Sequence, residues 1–182
     1  SYGVDGIIRN LPLYLRTDPG LIYDRFSFRR KRNLQEGAEN LLIEFSKSSA
    51  LLGRPFMWAE GREAYARRAL LIGDVDKAYR LASEHYIDFS KYDEVPELTD
   101  LEWLAGFIAF EFLNDYNRAL IHFQNFAMFV VNPVNRSRAS YWIGRAYEGL
   151  KDKEKARRAY AEGAAYQIFF YGQLAAERGK FE

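Results

Sequence analysis

Apolar residues recur at helical spacing in several segments of this chain, and short polar turns separate the segments. The turns are Lys31-Arg-Asn33, Gly73-Asp74, Asn114-Asp115 and Lys151-Asp152. After each turn comes a small residue, followed four positions later by an apolar or small one: Ala38 and Leu42, Ala78 and Ala82, Ala119 and Phe123, Ala156 and Tyr160. Because four positions make about one helical turn, each pair shares the helix face that packs on the preceding helix.

The small residues after the turns recur at intervals of about forty residues, which is longer than a strict tetratricopeptide repeat. The pattern predicts an all-α protein, in which tetratricopeptide-like helical hairpins stack into an irregular superhelix. We expect one repeat domain over residues 1–182 with about four hairpins. The helical hairpins should extend over residues 6–180, and the first should be only partly present around Ile7 to Leu15.

Local signals predict helix starts and close contacts. Thr17-Asp18-Pro19 is typical of an N-cap with proline at the first helical position, and Thr99-Asp-Leu-Glu102 is typical of a capping box. Pro55, Pro96 and Pro133 should fall between hairpins. Gly106 and Gly144 should lie where paired helices touch, with Ile143, Tyr147 and Tyr160 filling the space around Gly144.

Composition narrows the function classes. Hydrophobic residues make up 48% of the chain and aromatic residues 16%, enough to bury a sizeable core. The 26 Lys and Arg nearly balance the 25 Asp and Glu, which argues against nucleic acid as the main partner. The absence of cysteine excludes disulfides and thiolate metal sites. No apolar run is long enough to predict a membrane span.

No residue stands in a recognisable catalytic context, so we predict no catalytic residue, no metal ligand and no cofactor. Glu102 is expected to be a solvated capping residue, and Asp74 and Asp152 to be turn residues. His85 and His122 lie in different repeats without ligand partners at short spacing. A packed or hydrogen-bonded position at a hairpin edge therefore explains them better than acid-base or metal chemistry.

Arginines are the better candidates for function, since guanidinium groups occur in every repeat and could bind carboxylates along one groove. The candidate binding residues are Arg29, Arg30, Arg67, Arg138 and Arg145. The alternative is that they pair with Glu on neighbouring helices. Trp58, Trp103 and Trp142 occupy first helices of successive hairpins, where they could stack on sugars or form the core between hairpins.

An ordered set of segments resembles the superhelical domain of soluble lytic murein transglycosylases over residues 25 to 178. The segments are Phe56-Met-Trp-Ala-Glu-Gly-Arg62, Arg67-Arg-Ala-Leu-Leu-Ile-Gly-Asp74, Ala78-Tyr-Arg-Leu-Ala-Ser-Glu-His85, Leu101-Glu-Trp-Leu-Ala-Gly106, Arg138-Ala-Ser-Tyr-Trp-Ile-Gly-Arg-Ala-Tyr-Glu148, Lys153-Glu-Lys-Ala-Arg157 and Phe170-Tyr-Gly-Gln-Leu-Ala-Ala-Glu177. The resemblance implies a periplasmic protein that cleaves the linkage between N-acetylmuramic acid and N-acetylglucosamine. It also implies that the catalytic glutamate belongs to a lysozyme-like domain that would follow this chain. No Glu-Ser motif of that domain occurs here, so no catalytic residue is carried over.

We therefore expect a non-catalytic superhelical part that shapes a ring around the glycan and supports the catalytic domain. Phe170 and Tyr171 are predicted to anchor that domain, with Gly172 allowing close backbone approach. Peptidoglycan itself is a further expected ligand. The alternative is a free-standing tetratricopeptide-like adaptor that binds a peptide or protein partner.

Overall fold

The computed structural model describes residues 4–88 and 96–181, and every regular element within these ranges is a helix. The α-helices are α1 (Val4–Arg9), α2 (Leu13–Arg16), α3 (Pro19–Lys31), α4 (Gln35–Phe45), α5 (Ser49–Leu52), α6 (Ala59–Leu71), α7 (Val75–Ser83), α8 (Pro96–Glu111), α9 (Tyr116–Phe129), α10 (Pro133–Gly149), α11 (Lys153–Ala164) and α12 (Phe170–Gly179). A 3₁₀ turn, Pro55–Trp58, precedes α6. None of the helices in the described ranges has both the length and the apolar character needed to cross a membrane.

Helices pair into hairpins in chain order, with α3 on α4, α6 on α7, α8 on α9 and α10 on α11, and α12 then packs on α10 and α11. Successive hairpins stack through α7 on α8 and α9 on α10. This arrangement confirms the predicted all-α fold of stacked tetratricopeptide-like hairpins. The short helices α1 and α2 precede the first full hairpin.

The turn inside each hairpin has the same construction. One residue adopts positive φ, at 57° for Asn33, 82° for Gly73, 53° for Asn114 and 63° for Lys151. In the last three turns the next residue is an aspartate whose carboxylate accepts the backbone N–H three positions later. These N-caps satisfy a free amide at the start of α7, α9 and α11. The turns predicted from the sequence are confirmed.

Small residues set the distance between paired helices. Ala38, Ala78 and Ala119 are fully buried, as the register of the repeats requires. A Cβ added at Gly106 would lie 2.6 Å from the ring of Phe123, and one added at Gly144 would overlap the ring of Tyr160. Both glycines therefore bring a first helix against an aromatic ring of its own second helix, which confirms their predicted role.

The predicted start of α8 is wrong. The helix begins at Pro96 and not after Thr99, and Glu102 lies in its second turn. Pro133 likewise is the first residue of its helix. Proline fixes φ near the helical value and lacks only an N–H that the first turn does not use. Leu98 and Leu101 are buried with Ala59 and Ile87, so packing supports the additional turn.

Arg62 on α6 joins two helix ends inside the first core. Its guanidinium donates to the Leu81 carbonyl near the end of α7, at 3.3 Å, and to the Ser46 hydroxyl that caps α4. The side chain is fully buried, and that burial lowers its pKa to about 10. Since both helix ends carry partial negative charge, they stabilise this buried cation.

Candidate functional site

Aromatic side chains fill the space between α8 and α10, and we call this group the aromatic layer. Its members are Trp103, Phe107 and Phe110 on α8, Tyr141 and Trp142 on α10, and Tyr171 on α12. Trp103 and Phe107 are one helical turn apart and stack at 5.1 Å, with 17° between their planes. Trp142 meets Phe107 edge-on at 5.7 Å and Phe110 edge-on at 5.5 Å. The arrangement places large flat rings along the first helices of two successive hairpins.

The exposure of these rings is uneven. Trp142 is 7% exposed and also contacts Phe123 of α9, at 5.5 Å, so it belongs to the core. Trp103 and Phe107 are only partly buried. Trp58, by contrast, is fully buried and donates its indole N–H to the Leu52 carbonyl at 3.1 Å. Of the three tryptophans, only Trp103 therefore combines a place on a first helix with partial exposure.

Arg138 of α10 lies directly over Trp103, with its guanidinium carbon 3.6 Å from the ring centroid. The same guanidinium is 5.9 Å from the rings of Phe126 and Tyr171. Burial among the rings lowers the pKa of Arg138, the charge of Arg67 lowers it further, and Tyr171 and Asp100 act in the opposite direction. A cation held flat on an indole is a favourable geometry, and its planar group keeps its outer edge available for hydrogen bonds.

Two N–H donors of the aromatic layer, and one of Arg138 beside it, lack an acceptor. Trp103 Nε1, Trp142 Nε1 and Arg138 Nε are all buried, and none has a hydrogen-bond acceptor among the residues that the structure describes. Buried donors are usually paired, so three unpaired donors in one layer are unusual. The local chemistry favours an acceptor group, such as a carboxylate or carbonyl oxygen.

Two other predicted arginines lie near the layer. Arg145 lies about two helical turns after Arg138 on α10. Its guanidinium is 5.0 Å from the Phe110 ring and donates a 3.1 Å hydrogen bond to the Tyr141 hydroxyl. Arg67 on α6 is more exposed and pairs with Glu63 at 2.8 Å. The charge of Arg67 acts on Arg138, whereas Arg145 shares α10 with Arg138 but has contacts of its own. The binding role of the three arginines stays a prediction.

Arg29 and Arg30 belong to the first hairpin and lie apart from the aromatic layer. Arg29 donates to the Gly37 carbonyl at 2.8 Å and so links α3 to α4. Arg30 pairs with Glu60 of α6 at 3.1 Å and lies 5.7 Å from the Phe26 ring. The contact of Arg30 fits the alternative, in which an arginine pairs with a Glu of a neighbouring helix, whereas Arg29 donates to a backbone carbonyl. Whether they bind a ligand stays a prediction.

A buried polar network lies between α7, α8 and α9, and sequence reasoning missed its centre. The Glu102 carboxylate is 2% exposed and contacts His85 Nε2 at 2.8 Å and His122 Nδ1 at 2.7 Å. Asn125 donates to the same carboxylate at 3.2 Å, and the hydroxyl of Tyr79 lies 2.9 Å from His122 Nε2. The expectation that Glu102 is a solvated cap is wrong, because α8 begins earlier and turns this position inward.

Ionisation of Glu102 is opposed by burial, but the hydrogen bonds from His122 and His85 outweigh burial and lower its pKa to about 2. The Ile87 backbone N–H donates to His85 Nδ1 at 3.0 Å, so His85 Nε2 carries the proton that is donated to Glu102. Across residues 4–88 and 96–181, no group of three or more His, Cys, Asp or Glu is arranged to hold a metal. The hydrogen bonds of the network link α8 to α9 and to the segment after α7, and both histidines have the hydrogen-bonded positions that the sequence predicted.

The predicted docking residues lie at the start of α12. Phe170 is 66% exposed, and Ile168 before it is also exposed. Tyr171 is partly buried and contacts Tyr141 at 5.5 Å. Gly172 is buried, and a Cβ there would overlap the Tyr166 carbonyl, so its close approach is to the loop before α12. The docking role of these residues stays a prediction.

Comparison with known proteins gives a likeness of fold. No protein-family model matches the chain, and no curated protein matches it in sequence. Among solved structures it is similar to the crystal structure of MamA protein, with a TM-score of 0.51 and 15% identity. The matched region covers 84% of this chain and 75% of that one. At this identity the similarity concerns the stacking of helices alone.

Proposed function

We propose that this chain is a helical-repeat binding module that holds a polypeptide partner on the face formed by α6, α8 and α10. The observation that carries the proposal is the aromatic layer, in which Trp103 and Phe107 keep part of their ring surface exposed beside Arg138. Aromatic and arginine side chains dominate the energetics of protein interfaces. Stacked helical hairpins present such side chains on one extended face.

The proposal is tested by selecting peptides from a random library on the purified chain and then locating the bound peptide. A photo-crosslinking amino acid at position 107 of α8 should capture a selected peptide. The same group at position 121 should not, because Ile121 is exposed on α9, a second helix. Equal capture at both positions, or no selected peptide at all, would overturn the proposal.

We also propose, from the ordered resemblance to soluble lytic murein transglycosylases, that the module belongs to a periplasmic peptidoglycan-cleaving protein. In that setting it would support a lysozyme-like catalytic domain and contact the glycan. The exposed Ile168 and Phe170 support this proposal, because neighbouring exposed apolar side chains are typical of an interaction surface.

Two measurements test the second proposal. A lysozyme-like segment with a Glu-Ser motif in the gene downstream of residue 182 is expected, and its absence would count against the proposal. The chain alone should sediment with murein sacculi without releasing 1,6-anhydromuropeptides, as judged by mass spectrometry. Failure to sediment would remove peptidoglycan from the expected ligands and leave the polypeptide partner as the remaining candidate.

A further inference from the structure

Arg138 differs from ion-paired arginines on three other helices of the stack. Arg30, Arg67 and Arg178 each have a carboxylate oxygen within 3.1 Å. Arg138 has no carboxylate within ion-pair distance in the described ranges, and Trp103 holds it instead. A partly exposed guanidinium that is positioned by a ring and lacks a paired anion is suited to bind an anion from outside.

The electrostatic surroundings point in the same direction. The positive charge of Arg67 acts on Arg138 and lowers its pKa, so the two guanidinium groups repel one another. Burial is the main reason that the pKa of Arg138 is lowered, and Tyr171 and Asp100 oppose it more strongly than Arg67 adds to it. An anion between α6 and α10 would be attracted to both arginines and would further favour the charged form of Arg138.

The unpaired N–H groups indicate that the anion should carry hydrogen-bond acceptors. Arg138 Nε and Trp103 Nε1 are buried without acceptors and belong to the stacked pair itself. A carboxylate offers two oxygens with several lone pairs, which suits the planar fork of a guanidinium.

We propose that Arg138, stacked on Trp103 and accompanied by Arg67, binds a carboxylate of the polypeptide partner, and that an apolar side chain next to this carboxylate packs on Phe107. The proposal rests on the proposed peptide-binding function and specifies its ligand. With a formal net charge of +1, the chain favours a local acidic group in a polypeptide over a polyanion.

The test uses peptides selected from a random library on the full chain. Selected peptides should share an Asp or Glu next to an apolar or aromatic residue. Arg138→Gln should weaken their binding about tenfold or more, the usual loss for a charge-assisted hydrogen bond. The matched control is Arg158→Gln, which removes an exposed arginine that pairs with Glu154 on α11, and it should leave binding unchanged.

A change in the peptide tests the same contact without touching the fold. Replacing the shared Glu by Gln should weaken binding to the parent chain as strongly as Arg138→Gln does, with little further loss when both changes are combined. Arg138→Lys should bind more tightly than Arg138→Gln but more weakly than the parent chain. Lysine keeps the positive charge but lacks the planar guanidinium that donates two parallel hydrogen bonds and stacks on Trp103.

The outcomes separate this inference from the proposed function. Selected peptides that lack acidic residues and bind Arg138→Gln as well as Arg158→Gln would overturn the carboxylate site and leave peptide binding intact. A library from which nothing is enriched would overturn both. Acidic peptides that bind all variants equally would place the carboxylate elsewhere on the chain and also overturn the assignment to Arg138.

Discussion

His122 Nδ1 lies 2.7 Å from a carboxylate oxygen of Glu102, a contact that joins α9 to α8 inside the core. His85 reaches the other oxygen of the same carboxylate from the segment after α7. One buried acid therefore connects two successive hairpins. A satisfied buried network of this kind fixes one arrangement of its helices, because any displacement leaves a buried polar group unpaired.

We expect Glu102→Gln to lower the free energy of unfolding by about 2–3 kcal/mol. An amide has one acceptor oxygen, so its NH₂ group must face the N–H of either His85 or His122. The matched control is Glu63→Gln, which removes an exposed partner of Arg67 and should cost less than about 1 kcal/mol. Urea unfolding followed by circular dichroism measures both. Equal midpoints for the two variants would show that the network adds nothing to stability.

The same carboxylate predicts how stability depends on pH. The pKa of Glu102 is lowered from 4.5 to about 2 in the folded protein, so folding favours its ionised form. Its contribution is present in full above the unfolded value and is lost as pH falls from about 4.5 towards 2. The contribution should reach about 3 kcal/mol. The stability difference between the parent and Glu102→Gln should therefore shrink over this range, and a constant difference would contradict the pKa.

The repeating parts of the fold follow from local chemistry and were predictable. A turn residue with positive φ, an aspartate cap and a small residue four positions after the cap recur in the sequence as they do in space. Glu102 was not predictable from its capping-box spacing, because that motif describes a helix start and α8 starts earlier. A warning was present in the sequence, since Glu102 is the lone charge in the apolar run from 101 to 110. A charge inside such a run must find a buried partner.

The candidate site was predictable only in part. Arginines on first helices could be identified, but whether each finds a carboxylate depends on neighbouring helices. Arg29 and Arg30 turned out to have contacts inside the first hairpin and with α6. The stacking of Arg138 on Trp103 joins residues of different hairpins, and helical spacing carries no information on such a pair. Arg62, which joins two helix ends, gave no signal because its acceptors are a backbone carbonyl and a hydroxyl.

The contact between Gly144 and Tyr160 predicts that even a methyl group is too large there. We expect Gly144→Ala to cost about 1–3 kcal/mol, and Gly144→Leu more, because the added carbon overlaps the ring. Gly6→Ala is the matched control, since a Cβ at that helical glycine meets nothing within 4 Å. The control should be neutral or slightly stabilising. Urea midpoints for both variants measure the difference, and a neutral Gly144→Ala would show that the ring moves aside freely.

Arg62 should be more important for stability than an ordinary surface arginine. Arg62→Met keeps most of the volume but removes the bonds to the Leu81 carbonyl and the Ser46 hydroxyl, so it should cost about 1–3 kcal/mol. Arg62→Ala should cost more, because it also leaves a cavity. Arg158→Ala, at an exposed ion pair, should change stability by less than about 1 kcal/mol. Thermal unfolding of the three variants checks this order. A stabilised Arg62→Met would show that the desolvation penalty of the buried guanidinium exceeds the stabilisation from its hydrogen bonds.

The two aromatic residues at the start of α12 should respond differently to substitution. Phe170 is 66% exposed, so Phe170→Asp should leave the unfolding midpoint nearly unchanged. Tyr171 packs on Tyr141, and Tyr171→Asp should cost about 1–3 kcal/mol because it removes a partly buried aromatic contact. Phe170→Asp therefore tests docking without disturbing the fold.

If a lysozyme-like domain of the parent protein packs on this end, Phe170→Asp should weaken its association with the chain in analytical ultracentrifugation. The control is Leu71→Asp, at an exposed position on α6, which should leave this association unchanged. Equal association for the two variants would show that Phe170 does not contact such a domain.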